Sequence, residues 1–255
     1  MRVAAKINLN LRVGERRADG YHAVRTEMQS VALFDVVRLA EGDSHLSASG
    51  FPVPLGPDNL AWKAVAVMAE AAGRPPRVRI RLQKRIPPGA GLGGGSADAA
   101  GVLLALRELW RLPWDDGRLE AIAGGLGSDV PFFIRGGRAL ATGRGEVLEP
   151  LQPLAPDPVV IVKPPFEVST RDAYRWFDEL GAGEGDNDLE QAVFAHHPEL
   201  AAAKAALRDA GALRALMSGS GSAVYGIMPS PGRARAMAHA FLARGWWAAA
   251  TRLLP

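Results

Sequence analysis

The residues best suited to chemistry lie in one run, Ile86-Pro87-Pro88-Gly89-Ala90-Gly91-Leu92-Gly93-Gly94-Gly95-Ser96-Ala97-Asp98-Ala99-Ala100. Glycine at 89, 91, 93, 94 and 95 lets successive backbone N–H groups approach a ligand without Cβ obstruction. The Ala/Leu-rich segment that follows has helical periodicity, and Ser96 is expected as its N-cap. A helix start aims its positive dipole end at the same spot, so loop and helix together form an anion cradle, most often for phosphate. A flexible linker would also be rich in glycine, but linkers seldom run into a helix start.

Three familiar glycine patterns fit this run unequally. Gly89-x-Gly91-x-x-Gly94 satisfies the dinucleotide fingerprint, but its setting is wrong. The preceding Val78-Arg79-Ile80-Arg81-Leu82-Gln83 alternates, with one wet face, whereas a central parallel strand is apolar throughout. Two prolines then separate strand from loop, and no acidic residue ends a second strand about 20 residues on. A Walker A loop needs G-K-[ST], and no lysine occurs between Lys84 and Lys163. A nucleophile elbow fails because Asp98 occupies the place of its last glycine.

Four other places carry reactive or recognition groups. Lys6 and Asn8 share one face of an alternating N-terminal segment; taken alone, that face could simply be solvated. Asp129, in Gly127-Ser128-Asp129-Val130-Pro131-Phe132-Phe133, suits either a base or an ordinary turn and cap residue. Asp19-Gly20-Tyr21-His22 presents an aromatic beside a histidine at a turn, and Ser218-Gly219-Ser220-Gly221-Ser222 is a second small-residue loop rich in donors.

The elements that must position these groups read as α+β without repeats. Residues 3–13 form a strand, with strand-like pieces at 24–40 and 45–50. Helix is expected over 59–72, closed by Gly73, then strand over 77–83 and helix from Ser96 to about Trp110. A short helix over 115–126 and strands within 138–149 complete the first half. Three prolines in 151–158 mark a linker. The second half reads as strand 159–163, helices near 170–180, 187–195 and 199–210, strands 213–217 and 223–228, helix 231–243 and a last strand. Irregular mixing of strands and helices favours two-layer α+β halves over a doubly wound sheet.

Composition excludes several classes. Lys and Arg number 30 against 27 Asp and Glu, and no run of five like charges suggests a nucleic-acid surface. Without cysteine there is neither disulfide nor thiolate metal site. No 18-residue apolar run occurs, and Lys6 stands where a signal peptide would be apolar, so a cytoplasmic protein without membrane or nucleic-acid partners is expected.

Together these pieces resemble the GHMP kinase superfamily over nearly the whole chain. The polar N-terminal strand, the loop Pro87 to Ser96 and the glycine turn at 218–222 carry the likeness. Ala5-Lys6-Ile7-Asn8-Leu9, Arg17-Ala18-Asp19-Gly20-Tyr21-His22 and Gly127 to Phe132 are similar to the branch that phosphorylates a cytidine diphosphate-linked small molecule. Ala97 departs from the second serine common there. The resemblance implies two domains, 1–152 and 153–255, with the active-site cleft between them, ATP and Mg²⁺ as cofactors, and a monomer or weak homodimer. It makes Asp129 the base for the acceptor hydroxyl and Lys6 its partner. It puts ATP phosphates on residues 87–97, with Ser96 a phosphate or Mg²⁺ ligand and Asn59 and Lys84 near the adenine. It gives the cytosine edge to His22 and its two faces to Tyr21 and Tyr174. It orients the polyol with Asn8 and places Ser218, Gly219, Ser220 and Gly221 by the diphosphate. A homoserine kinase-like enzyme and a non-catalytic nucleotide-binding or RNA-associated protein are the alternatives; the Lys6–Asp129 combination disfavours the second.

Overall fold

The computed structural model describes residues 1–255. Its first sheet joins β1 (Arg2–Asn8), β2 (Arg12–Arg16), β3 (His22–Glu41), β4 (His45–Gly50), β5 (Val78–Lys84), β6 (Arg138–Thr142) and β7 (Val147–Pro150). The 20-residue β3 is its spine, pairing antiparallel with β1, β2, β5 and β6 along different stretches. Only β4 and β5 pair in parallel within it.

Periodicity explains most of these elements. In β5, Val78, Ile80, Leu82 and Lys84 are buried while Arg79 and Arg81 are exposed, the alternation of a strand with one covered face. Four helices, α1 (Leu60–Ala72), α2 (Gly94–Leu109), α3 (Asp116–Gly124) and α4 (Phe132–Arg135), supply that cover. The side chain of Asn59 caps α1 by accepting from the Ala61 N–H, and Gly73 closes it at φ 61°.

The second sheet is antiparallel in the order β11-β8-β10-β9, from β8 (Pro158–Lys163), β9 (Arg214–Met217), β10 (Val224–Ile227) and β11 (Trp247–Arg252). Helices α5 (Thr170–Leu180), α6 (Glu190–His196), α7 (Pro198–Asp209) and α8 (Pro231–Leu242) pack with it. Between the two sheets lies a shared core: Ala5, Ile7, Leu9 and Leu92 meet Val159, Ile161, Leu216 and Tyr225. Residues 151–157 connect the halves without helix or strand.

Four expectations need correction. The N-terminal segment is two strands, because the chain leaves the sheet at Leu9–Asn10 before β2 rejoins β3. Its polar face is covered rather than solvated, with Lys6 and Asn8 both buried. The helix after the glycine loop starts at Gly94, two residues early; Gly93 in the left-handed region takes the N-cap position and no side chain caps the helix. Ser96 is therefore inside the first turn, not its cap. The single-turn α4, too short to show periodicity, was not expected.

Packing of α2 depends on Gly101. A Cβ there would collide with Val3 and approach Val37 Cγ2 to 3.2 Å, so the helix backbone lies directly on β1 and β3. Gly101→Val is expected to destabilise the fold by about 1–3 kcal/mol through overpacking. Thermal unfolding should register that as a Tm lowered by roughly 2–4 °C per kcal/mol. An unchanged Tm would mean that α2 can move away at little cost.

Candidate active site

Strand β1 sets the floor of the site. Lys6 and Asn8, two residues apart, project from the same face, and they are 4% and 2% exposed. Lys6 Nζ donates to Asn8 Oδ1 at 2.6 Å and lies 3.4 Å from Asp129 Oδ2. Asp129 arrives from the turn that precedes α4 and is 33% exposed, so its carboxylate faces open space. Asn8 is itself fixed by donating from Nδ2 to Thr26 Oγ1 at 2.8 Å. An ammonium has three donors; Asn8 takes one, Asp129 pairs with the charge from 3.4 Å, and donor capacity remains for a ligand.

The glycine loop forms one wall. Its Leu92 carbonyl accepts from Lys6 N at 3.0 Å, which ties the loop to the floor. Helix α2 opens on this wall with no side chain at its N-terminus, and Ser96 lines the cleft from its first turn. A helix start in this condition offers unshared amides and positive potential to an anion.

The turn after β9 locks against that loop. Ser218 Oγ donates to Gly91 O at 2.9 Å, and Ala223 N donates to Ala90 O at 3.2 Å. At Gly91, φ 71°, a Cβ would overlap the Ser218 carbonyl. Ser220 Oγ lies 3.0 Å from Thr170 Oγ1, so the same turn also fixes the start of α5.

Beneath the loop is a charged cluster that the sequence reading missed. Lys84 Nζ bonds Asp35 Oδ2 and, at 2.5 Å, Asp98 Oδ2, all three residues being buried. The other Asp35 oxygen accepts from Arg85 N and from Ile86 N at 2.9 Å, just where β5 turns into the loop. Lys84 was expected near adenine; instead its ammonium is turned inward and committed. The alternation of β5 carried that signal, since Lys84 falls in phase with Val78, Ile80 and Leu82. Asn59, expected beside it, has its side chain capping α1 and donating to Pro54 O at 2.7 Å. Burial holds the Asp98 carboxyl up, to about 7, with the neighbouring Asp35 charge adding to it and Lys84 opposing.

The far end of the cleft is aromatic. His22 stacks on Tyr174 at 5.6 Å between centroids and 24° between planes, and meets Phe177 edge-on. Its Nδ1 is 3.0 Å from the Gly14 carbonyl, which only accepts, so Nδ1 carries the proton. Nε2 is 3.0 Å from Asp178 Oδ1, off the line of a hydrogen bond. Tyr21 is 59% exposed and has the Arg144 guanidinium 5.4 Å above its ring. The structure thus brings Tyr21, His22 and Tyr174 to one cleft but pairs Tyr174 with His22, rather than leaving a slot between the two tyrosines. Burial, aided by the charge of Asp129, raises the Tyr174 phenol to about 12, so it stays protonated.

Lys6, Asn8, Ser96, Asp129, Tyr21, His22, Tyr174 and Ser220 border a single cleft of about 910 Å³ at the junction of the two halves. No cluster of three or more His, Asp or Glu residues is placed to hold a metal by itself. No helix is long and apolar enough to cross a membrane.

Fold and cleft are those of the GHMP kinases: the family model for their N-terminal domain matches residues 59–137, and that for their C-terminal domain matches 170–245. Among relatives, the 4-diphosphocytidyl-2-C-methyl-D-erythritol kinase of Pelotomaculum thermopropionicum is 43% identical over 92% of this chain and 90% of its own. The enzyme of the same name from Thermus thermophilus is also 43% identical, over 94% of this chain and 92% of its own. A crystal structure of 4-(cytidine 5'-diphospho)-2C-methyl-D-erythritol kinase superposes with a TM-score of 0.85, at 40% identity and full coverage of both chains. The chain belongs to the 4-diphosphocytidyl-2-C-methyl-D-erythritol kinase family.

The buried cluster makes two measurable claims. Lys84→Met strands two carboxylates in the interior and should cost about 3–5 kcal/mol in urea unfolding, whereas a loss under about 1 kcal/mol would mean water reaches them. Asp98 binds its proton more tightly folded than unfolded, so its contribution to stability is full below about pH 4 and is lost as pH rises toward about 7. Asp98→Asn removes that titration; the stability of the native protein relative to the variant should fall between about pH 4 and 7. A difference independent of pH would place the Asp98 titration outside this range.

Proposed function

We propose that this chain transfers the γ-phosphoryl group of ATP to the 2-hydroxyl of 4-diphosphocytidyl-2-C-methyl-D-erythritol, a step of the non-mevalonate route to isoprenoid precursors. The observation that carries this reading is the Lys6–Asp129 pair, 3.4 Å apart on the floor of a cleft with a glycine-loop wall and an aromatic end. ATP phosphates are assigned to the amides of residues 87–97 and the start of α2, within the first unit, 1–152. Mg²⁺ would come with the nucleotide, held mainly by phosphate oxygens with Ser96 as the protein hydroxyl, and would neutralise charge on the transferred group. The unit 153–255 brings Tyr174 and the turn Ser218 to Gly221 to the acceptor side.

The reaction then needs positioning and a proton acceptor more than covalent chemistry. The acceptor hydroxyl, set between Lys6 and Asp129, forms the new O–P bond as the bond from the γ-phosphorus to the leaving oxygen of ADP breaks. Its proton passes to an Asp129 carboxylate oxygen. The free donor of Lys6 steadies the hydroxyl oxygen, and Asn8, held by Thr26, keeps Lys6 aimed at it. Tyr21 and the His22–Tyr174 stack are assigned to the cytosine, about 1–3 kcal/mol of stacking per base being enough to anchor the substrate away from the reacting centre.

Asp129→Asn should lower kcat by about 10²–10⁴-fold, the range of a general base, with the affinity for ATP nearly intact. Lys6→Met should also lower kcat. Coupled assays of ADP release with the cytidine-linked acceptor measure both; near-native turnover in a folded Asp129→Asn protein would remove that residue from the mechanism.

A further inference from the structure

The lining of the cleft holds more positive charge than the reaction just described employs. Five cationic side chains border it, Lys6, Arg16, Arg144, Arg171 and Arg175, against two carboxylates, Asp129 and Asp178. Asp129 is paired with Lys6, and Asp178 lies 3.0 Å from His22 Nε2 without a hydrogen bond. Lys6 belongs to the reacting centre, which leaves four arginines without an assigned partner.

These four are not spread evenly. Arg16 donates from Nε to Gly20 O at 3.3 Å, and Arg144 lies 5.4 Å over the Tyr21 ring, so both sit beside the Asp19-Gly20-Tyr21-His22 turn. Arg171 and Arg175 are four residues apart on α5, on either side of Tyr174 in the chain, and both border the same cleft. The group therefore borders the aromatic end, with Arg16 from β2, Arg144 from the β6–β7 turn and two members from a helix of the second half. Internal pairing is slight. Arg175 reaches Asp172 of its own helix at 3.0 Å, Arg144 is 3.9 Å from Glu146, and Arg16 and Arg171 have no carboxylate within 4.0 Å.

We infer that Arg16, Arg144, Arg171 and Arg175 form a guanidinium collar that binds the diphosphate of the acceptor substrate, with Arg144 and Arg171 as its principal members. The inference rests on the acceptor assigned above. A diphosphate linking a base at the aromatic end to a hydroxyl beside Lys6 must pass this group. Guanidinium forks match phosphate oxygens in pairs and remain charged at any physiological pH. The ATP phosphates have their own site of backbone amides on the opposite wall, so the two anionic ligands are sorted by donor type: amides for the donor, guanidinium groups for the acceptor. Because the collar draws on both halves, a bound diphosphate also links α5 to the first sheet.

The test compares CDP with cytidine, which share the base and ribose and differ in the diphosphate, on enzyme saturated with a non-hydrolysable ATP analogue. Calorimetry should show the native protein preferring CDP, with that preference weakening as salt is raised. Arg171→Ala and Arg144→Ala should each weaken CDP by about tenfold, and the double variant by more, as expected for charge-assisted contacts. Cytidine should change by less than about threefold, which separates charge recognition from a disturbed Tyr21 ring. Arg171→Lys should recover part of the loss, keeping the charge but not the fork. A double variant that retains the native preference for CDP, in an enzyme that phosphorylates the cytidine-linked acceptor, overturns the collar alone. A native protein that neither binds CDP nor phosphorylates that acceptor overturns the assigned reaction, and the collar with it.

Discussion

The geometry of the cleft depends on one close approach, that of the loop at Gly91 to the turn at Ser218 and Gly219. Two chain segments more than a hundred residues apart touch backbone to backbone, and a side chain at Gly91 would occupy the space of the Ser218 carbonyl. At Gly219, φ 57°, a Cβ would press on Asn8 Oδ1 at 3.2 Å and Lys6 Nζ at 3.5 Å. Both glycines thus serve volume as much as conformation. Their contact brings the glycine-loop wall, Lys6 and the start of α5 to one cleft, and Ser218 and Ala223 hold it with hydrogen bonds to Gly91 and Ala90.

Two lysines, each 4% exposed, show how environment divides structure from chemistry. Lys84 is held between two carboxylates, one of which also secures the amides of Arg85 and Ile86. Such an ammonium has its charge matched inside the protein and is buried away from the cleft, and it anchors the base of the loop. Lys6 has a neutral amide at 2.6 Å and one carboxylate at 3.4 Å, the latter still facing open space. Its charge is only partly compensated within the protein, which suits a group that must meet a developing negative charge.

Much of this was legible in the chain because it is local. The alternation of β5, the Gly73 stop of α1, and the glycine run before α2 each follow from neighbours a few residues apart. What escaped was set by distant partners. Asp35, in a strand, and Asp98, in an alanine-rich helix, have no sequence relation to Lys84 until β3, β5 and α2 pack together. Ser96 has the composition of a cap, yet the left-handed Gly93 starts the helix earlier. His22 and Tyr174 were both expected at the base, but their stacking on each other is a contact between halves that no local pattern encodes.

The return of the chain after β11 has a consequence for how the protein is made. Leu253 bridges to Val31, Leu254 N donates to Ser30 O at 2.9 Å, and Gln29 Nε2 donates to Leu254 O at 2.6 Å. Leu253 is fully buried in the core that the two sheets share. During synthesis, the spine strand emerges early, and one part of its cover, Leu253 and Leu254, is still more than two hundred residues away. Contacts of such long range form slowly, because loop closure precedes any gain from them. The contacts of Leu253 and Leu254 with β3 therefore complete this core only after the chain beyond β11 has been made, long after β3 has met β1 and the glycine loop.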